Sequence, residues 1–185
     1  METGAVGVWA TRRRQPEPPE VAEAVSWEVT PDFVTFYREA RDEVARALTV
    51  TLADADLAAE ATDEAMARAY QHWGRIGSFD NPGGWVYRVG LNWATSVLRR
   101  RRRPNPTAPP GPVEMEPMGE PDVARALAEL DIRQRAVVVC RYLLGWSEAA
   151  TAAALDTPVG TVKSRLHRAS RTLSTRLSHL RTEEP

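Results

Sequence analysis

Between Pro104 and Pro121 the chain places seven prolines, two glycines and three glutamates in eighteen residues, half of the fourteen prolines in the whole sequence. Proline lacks the amide that a helix interior needs, and its ring clashes with the preceding turn, so no helix runs through this stretch. It reads as an extended, semi-rigid linker over residues 104–121 and as a domain boundary. A chain of 185 residues is long enough for one domain or two small ones, and the linker argues for two.

Both sides of the linker are written in helical period. Thr30-Pro31 reads as an N-cap and first helical residue, followed by Phe33, Tyr37, Ala40, Val44 and Leu48 at spacings of three and four. Leu57, Ala61, Ala65, Ala69 and Trp73 form a second apolar stripe, leaving Glu60, Asp63, Glu64 and Arg68 on the exposed side as a solvated face or a docking surface. Gly74 to Asp80 reads as a loop, and Asn81-Pro82 starts another helix with Val86, Val89, Trp93 and Val97 inward. On that helix Arg88, Asn92, Thr95 and Arg99 fall on a separate polar stripe that leads into Arg100, Arg101, Arg102 and Arg103, a pattern suited to bases and phosphates together. Beyond the linker, Asp122 is expected to cap a helix with Val123, Leu127 and Leu130 inward. Asp131 with Gln134 resembles a capping box for a helix over Ile132 to Leu144, which Gly145 ends.

The last part of the chain reads as a helix-turn-helix. Ser147 caps a short helix, a turn follows at Leu155-Asp156-Thr157, and Thr157-Pro158 is expected to cap and open a second helix. Asp156 tolerates the left-handed conformation that such a turn requires. Val162, Leu166, Ala169 and Leu173 face a core and turn Gly160, Ser164, His167, Arg168 and Arg171 outward, flanked by Lys163 and Arg165. From Thr157 to Thr182 there is no acidic residue but there are six cationic ones, which suits a helix lying against phosphates in a major groove. The net charge of −1 conceals this asymmetry and does not exclude nucleic acid.

The expected fold is all-α, without strands or repeats: helical domains over 30–103 and 122–181, joined by the Pro-rich linker, with a disordered 1–29 extension and a 182–185 tail. One cysteine, Cys140, gives neither a disulfide framework nor a metal set and reads as a core residue in a reducing cytoplasm. No apolar run has membrane-spanning length, and Arg12, Arg13 and Arg14 follow the first apolar residues in the wrong order for a signal peptide. His72, His167 and His179 share no ligand spacing and no carboxylate pair marks a site, so no catalytic residue, metal, cofactor or small-molecule substrate is expected. A dimeric helix-turn-helix regulator with an N-terminal interaction module is the competing reading, against which the second basic, asparagine-bearing helix counts.

Several motifs in order resemble the extracytoplasmic-function group of bacterial RNA polymerase sigma factors. These are Asn81-Pro82-Gly83-Gly84-Trp85-Val86-Tyr87-Arg88-Val89, then Asn92 with Leu98-Arg99-Arg100, then Arg133-Gln134-Arg135-Ala136-Val137 and Gly160-Thr161-Val162-Lys163-Ser164-Arg165. The resemblance implies that the helix over Trp85 to Arg103 and the loop before it melt and read a minus-ten promoter element through Asn92, Arg88, Thr95 and Ser96, with Arg99 and Arg100 beside them. It implies that the recognition helix reads a minus-thirty-five element, the candidate set being Thr161, Lys163, Ser164, Arg165, His167, Arg168 and Arg171. It also implies that the face bearing Glu60, Asp63, Glu64 and Arg68 grips the clamp helices of core RNA polymerase. Promoter DNA and core polymerase are thus the expected partners; the family also leaves room for an anti-sigma factor, which no residue identifies. Three positions depart from the family pattern: Ser96 stands where an aspartate is usual, Ala150 where a glutamate is usual, and Asp156 where the turn glycine is usual.

Overall fold

The computed structural model describes residues 31–101 and 121–178. Eight α-helices are described, with no strand among the described residues: α1 Pro31–Leu52, α2 Ala55–Gln71, α3 Trp73–Ile76, α4 Pro82–Arg101, α5 Pro121–Ala128, α6 Ile132–Val138, α7 Glu148–Ala154 and α8 Val159–Arg176. The expected linker, apart from Pro121 at the start of α5, lies outside the described residues, as do Thr30, the 1–29 extension and the tail.

Helices α1, α2 and α4 pack on one another around Val44, Leu48, Leu57, Ala61, Ala65, Val86 and Ala94. Local caps fix where two of them begin. Asp54 accepts from the Leu57 amide at 2.9 Å to start α2, and Asn81 Oδ1 accepts from the Gly84 amide at 2.7 Å at the start of α4. Gly90 lets the helices approach: a Cβ there would sit 2.8 Å from Leu48 Cδ1 and 3.0 Å from the Ala61 carbonyl oxygen. Two expectations change in this unit. The stretch taken as a loop begins with the helical turn α3, because His72 carbonyl accepts from both Arg75 and Ile76 amides and Ile76 is buried. The buried face of α4 is also rotated from the expected stripe: Gly84, Val86, Tyr87, Gly90 and Ala94 are buried, while Val89, Trp93 and Val97 are half-buried at its margin. The small residues on that face carry little hydrophobic signal, yet they are what lets the helices come close.

In the second unit the capping box at α6 is complete: Asp131 Oδ1 accepts from the Arg133 and Gln134 amides, and Gln134 Oε1 accepts from the Asp131 amide at 3.3 Å. Asp122, expected as a cap, lies instead in the first turn of α5, paired with Arg125. Val123, expected inward, is exposed. Helix α6 does not run on as an α-helix to Leu144 but widens into a π-helical turn over Val139–Leu143, closed by the Leu144 amide on the Val139 carbonyl at 3.0 Å. Gly145, at φ 68°, ends it in the left-handed region. Leu130, Val138, Ala169, Val137, Ala152 and Val162 make the core that joins α5, α6, α7 and α8.

The two units share a seam. Val139 and Cys140 of the π-helical turn are buried in the same apolar cluster as α1, α2 and α4. The guanidinium of Arg135, itself buried, donates from Nη1 to the Thr51 carbonyl at 3.1 Å and from Nη2 to the Ala128 and Leu130 carbonyls at 3.1 and 2.9 Å. One side chain thereby satisfies the end of α1 and the α5–α6 turn together. Burial holds its pKa below the usual arginine value, partly opposed by Asp131.

Candidate nucleic-acid interface

Helix α7 is capped as expected, with Ser147 Oγ accepting from the Ala150 amide at 3.0 Å. The turn that follows differs in detail. Asp156 takes φ 50°, in the left-handed region its residue type tolerates. Thr157, however, does not cap α8. Its hydroxyl donates back to the Leu155 carbonyl at 3.2 Å, Pro158 occupies the cap position without a side-chain bond, and α8 begins at Val159. The turn is therefore one residue longer than the expected three, and the Pro158 carbonyl accepts from the Thr161 and Val162 amides at 2.8 and 3.1 Å to close the first turn of α8.

On α8 the buried side is carried by Val162 and Ala169, with Leu166 and Leu173 half-buried beside them. That anchors the helix so that Lys163, Ser164, His167, Arg168 and Arg171 are all exposed, while Thr161 and Arg165 are half-buried at the edges of the same surface. The Arg168 side chain folds back, Nε donating to the Ser164 carbonyl at 3.2 Å, and Ser164 Oγ donates to the Thr161 carbonyl at 3.0 Å. Lys163 Nζ lies 3.7 Å from Glu148 Oε2, an exposed pair that contributes little and yields readily to a stronger anion. Electrostatically, this is a cationic ridge along a helix that projects from its own core.

The candidate residues of α4 divide between its two ends. Asn92, Arg99 and Arg100 are exposed. Thr95 and Ser96 are half-buried, and both hydroxyls donate to the Asn92 carbonyl, at 3.0 and 2.9 Å, leaving their oxygens free as acceptors. Arg88 is apart from them. It lies near the start of the helix where α7 crosses α4, and its Nη1 is 3.6 Å from Asp156 Oδ2. Sequence reasoning singled out both residues without pairing them, since nothing in their spacing brings a turn of the second unit onto a helix of the first.

The expected docking face on α2 keeps Glu60, Asp63 and Arg68 exposed and Glu64 half-buried. Glu64 pairs with Arg68 one turn on at 2.7 Å, and Asp63 with Arg41 of α1 at 3.4 Å. Arg41 is thus part of this face, a residue that the α2 pattern alone had no means of finding. Between α1 and α2 the same side opens into a groove of about 560 Å³ lined by Phe33, Tyr37, Arg41, Asp63, Met66 and Tyr70, among others. No helix among the described residues is long and apolar enough to cross a membrane.

Residues 122–173 match the model of sigma-70 region 4. The chain is 34% identical over 138 residues to the ECF RNA polymerase sigma factor SigL of Mycobacterium tuberculosis, covering 69% of this chain and 78% of that protein. It is 35% identical over 145 residues to SigM of the same organism, covering 75% and 72%. With the RNA polymerase sigma-E factor of Streptomyces coelicolor it shares 31% identity over 144 residues, 75% of this chain and 81% of the other. Its fold is like that of the sigma factor RpoE from Bartonella quintana, solved in complex with the anti-sigma factor NepR: the TM-score is 0.63 at 22% identity, over 80% of this chain and 97% of that one. On the identity and coverage of these relatives, the chain belongs to the extracytoplasmic-function group of RNA polymerase sigma factors.

Proposed function

We propose that this protein binds core RNA polymerase and directs promoter-specific initiation in the cytoplasm, with a region 2 domain over 30–103, a linker over 104–121 and a region 4 domain over 122–181. The observation that carries this reading is the presence of two cationic helical surfaces on two differently built units, the outward positions in the C-terminal half of α4 from Asn92 to Arg101 and the outward face of α8. In region 2, Asn92, Thr95, Ser96, Arg99 and Arg100 meet the melted minus-ten strand, and Arg88 joins them once it leaves Asp156. Acceptor oxygens and an amide beside arginines suit unstacked bases and their phosphates. In region 4, Lys163, Ser164, His167, Arg168 and Arg171, flanked by Thr161 and Arg165, read a duplex minus-thirty-five element. Glu60, Asp63, Glu64 and Arg68, with Arg41, grip the polymerase. The chain itself performs no catalysis: it recognises and opens DNA, and the polymerase makes the bonds.

A dimeric regulator acting without polymerase is not favoured, because the relatives are polymerase sigma factors. Run-off transcription with core enzyme and a genomic promoter library is the test. A defined set of starts that depends on the added chain is expected; binding to core enzyme with no start from any promoter would refute the initiation role.

A further inference from the structure

Helix α7 carries one charged side chain, Glu148, in a run of alanines and one threonine, and helix α8 carries no acidic residue at all. The fold nevertheless brings a carboxylate to the outward face of α8. The two helices pack on each other, and Glu148 Oε2, from the first residue of α7, lies 3.7 Å from Lys163 Nζ. Ser147 fixes where α7 begins, through its bond to the Ala150 amide, and so fixes the backbone from which Glu148 reaches. Lys163 is exposed in the second turn of α8, near the end of a recognition helix that meets base edges. At Gly160, one turn earlier, an added Cβ would meet nothing within 4 Å, so the protein leaves this end of the face open. The other carboxylate on α8, Glu129, pairs with Arg176 at the far end. Arg165, Arg168 and Arg171 pair with no carboxylate among the described residues.

We propose that Glu148 is a specificity-determining residue of the duplex-reading face: with Lys163 it forms a donor–acceptor pair matched to the major-groove edge of a G·C base pair. Guanine shows two acceptors there, O6 and N7, and its cytosine shows the N4 amine; lysine suits the first and a carboxylate the second. An ammonium has three N–H donors, so Lys163 can hold Glu148 and guanine at once, while Glu148 keeps a free oxygen for cytosine. An A·T pair never places two acceptors side by side on one base, so Lys163 loses a bond there. On a phosphate the pair does worse still, because the backbone anion draws Lys163 away and leaves the carboxylate facing like charge. Glu148 thereby directs one cation of the ridge to a base edge and leaves the phosphates to the unpaired arginines. The inference deepens the proposed reading of a duplex element by α8 and rests on it.

The test uses the full chain with core polymerase and one promoter recovered from run-off transcription, randomised in its upstream duplex, with the bound fraction sequenced. Lys163→Ala should relax a G·C preference at one base pair by about tenfold. Glu148→Ala should relax the preference at that same pair by a similar factor and leave the other positions as they were. Adding Lys163→Ala to it should relax the pair no further, as expected of two residues that act together. In Glu148→Ala the freed ammonium takes a phosphate, so the slope of log affinity against log salt should steepen by about one, which loss of a helix-starting charge would not produce. Far-ultraviolet circular dichroism should be unchanged. If Glu148→Ala fails to fold, Glu148→Gln decides, with a loss of about threefold at that pair expected because the amide keeps an acceptor and loses the charge that holds Lys163. An unchanged preference at the Lys163 pair in the Glu148 variants, a uniform loss at every position, or a parent preference there for A·T would overturn the role of Glu148 and leave duplex reading by α8 standing. A parent that selects no upstream sequence would overturn both.

Discussion

The Thr151 hydroxyl is fully buried in α7 and has no hydrogen-bond partner, a cost of about 1–3 kcal/mol that a methyl of the same shape would not incur. Thr151→Val is therefore expected to raise the melting temperature, by the equivalent of about 1 kcal/mol, without changing the helix it sits in. Arg135 is the opposite case: three carbonyls depend on its guanidinium, so Arg135→Ala should lose about 3 kcal/mol in denaturant melts, far more than a surface arginine. On the two faces proposed to bind DNA, Arg168→Ala and Asn92→Ala should fail at different steps. Arg168 lies on the outward face of α8, and losing a base-edge contact there should cost about 1–3 kcal/mol of closed-complex affinity on promoters with a strong upstream element. Asn92→Ala should leave that affinity intact and appear instead as weak permanganate reactivity of promoter thymines, relieved on a template already mismatched at the minus-ten element. Equal relief of both variants by that template would show the two helices assigned to the wrong steps.

Among the helices, what the sequence discloses is what its neighbours along the chain decide. The caps at Asn81, Asp131 and Ser147 form as read because each side chain bonds an amide two or three residues away. The outward face of α8 is likewise as expected, since one core lies on one side of it. Thr157 was open to two local bonds and took the Leu155 carbonyl instead of the cap. Helix α4 turns a different phase inward from the one its large apolar residues suggest, because it packs on α1, α2 and α7 through Gly84, Gly90 and Ala94 as well as Val86 and Tyr87. The seam between units, with Arg88 on Asp156, belongs to tertiary structure and left no trace in spacing. Helix α2 offers a prediction of its own. Asp63→Arg with Glu64→Arg removes the pairs to Arg41 and Arg68, which are surface pairs worth little to stability, and should leave helicity intact. Affinity for core polymerase should fall by about tenfold or more in a competition assay; an unchanged affinity would reduce this face to a solvated one.

For the molecule as a whole, alkali should act on the seam. Burial pushes the Cys140 thiol up to about 12, opposed by its hydrogen bond to Tyr87, and burial pushes the Tyr87 phenol well above its ordinary range. A buried acid with a raised pKa costs the folded state nothing while the unfolded chain is also protonated, and penalises it once the unfolded chain can ionise. The contribution is fully present below the unfolded thiol value near about 9 and is lost as pH climbs from there toward about 12. Denaturant midpoints should thus hold through neutrality and fall above about pH 9, and Cys140→Ala should flatten part of that fall. The π-helical turn between α6 and α7 bears on how the whole chain is aimed. Each residue of a helix advances the chain by about 100°, so a turn that holds one residue more than an α-turn acts as a slipped gear tooth between α6 and everything after it. Deleting a single residue within Val139–Leu143 would let the helix close up in regular form, and α7 and α8 would then emerge, intact, about a quarter-turn away from the seam that they now share with the first unit.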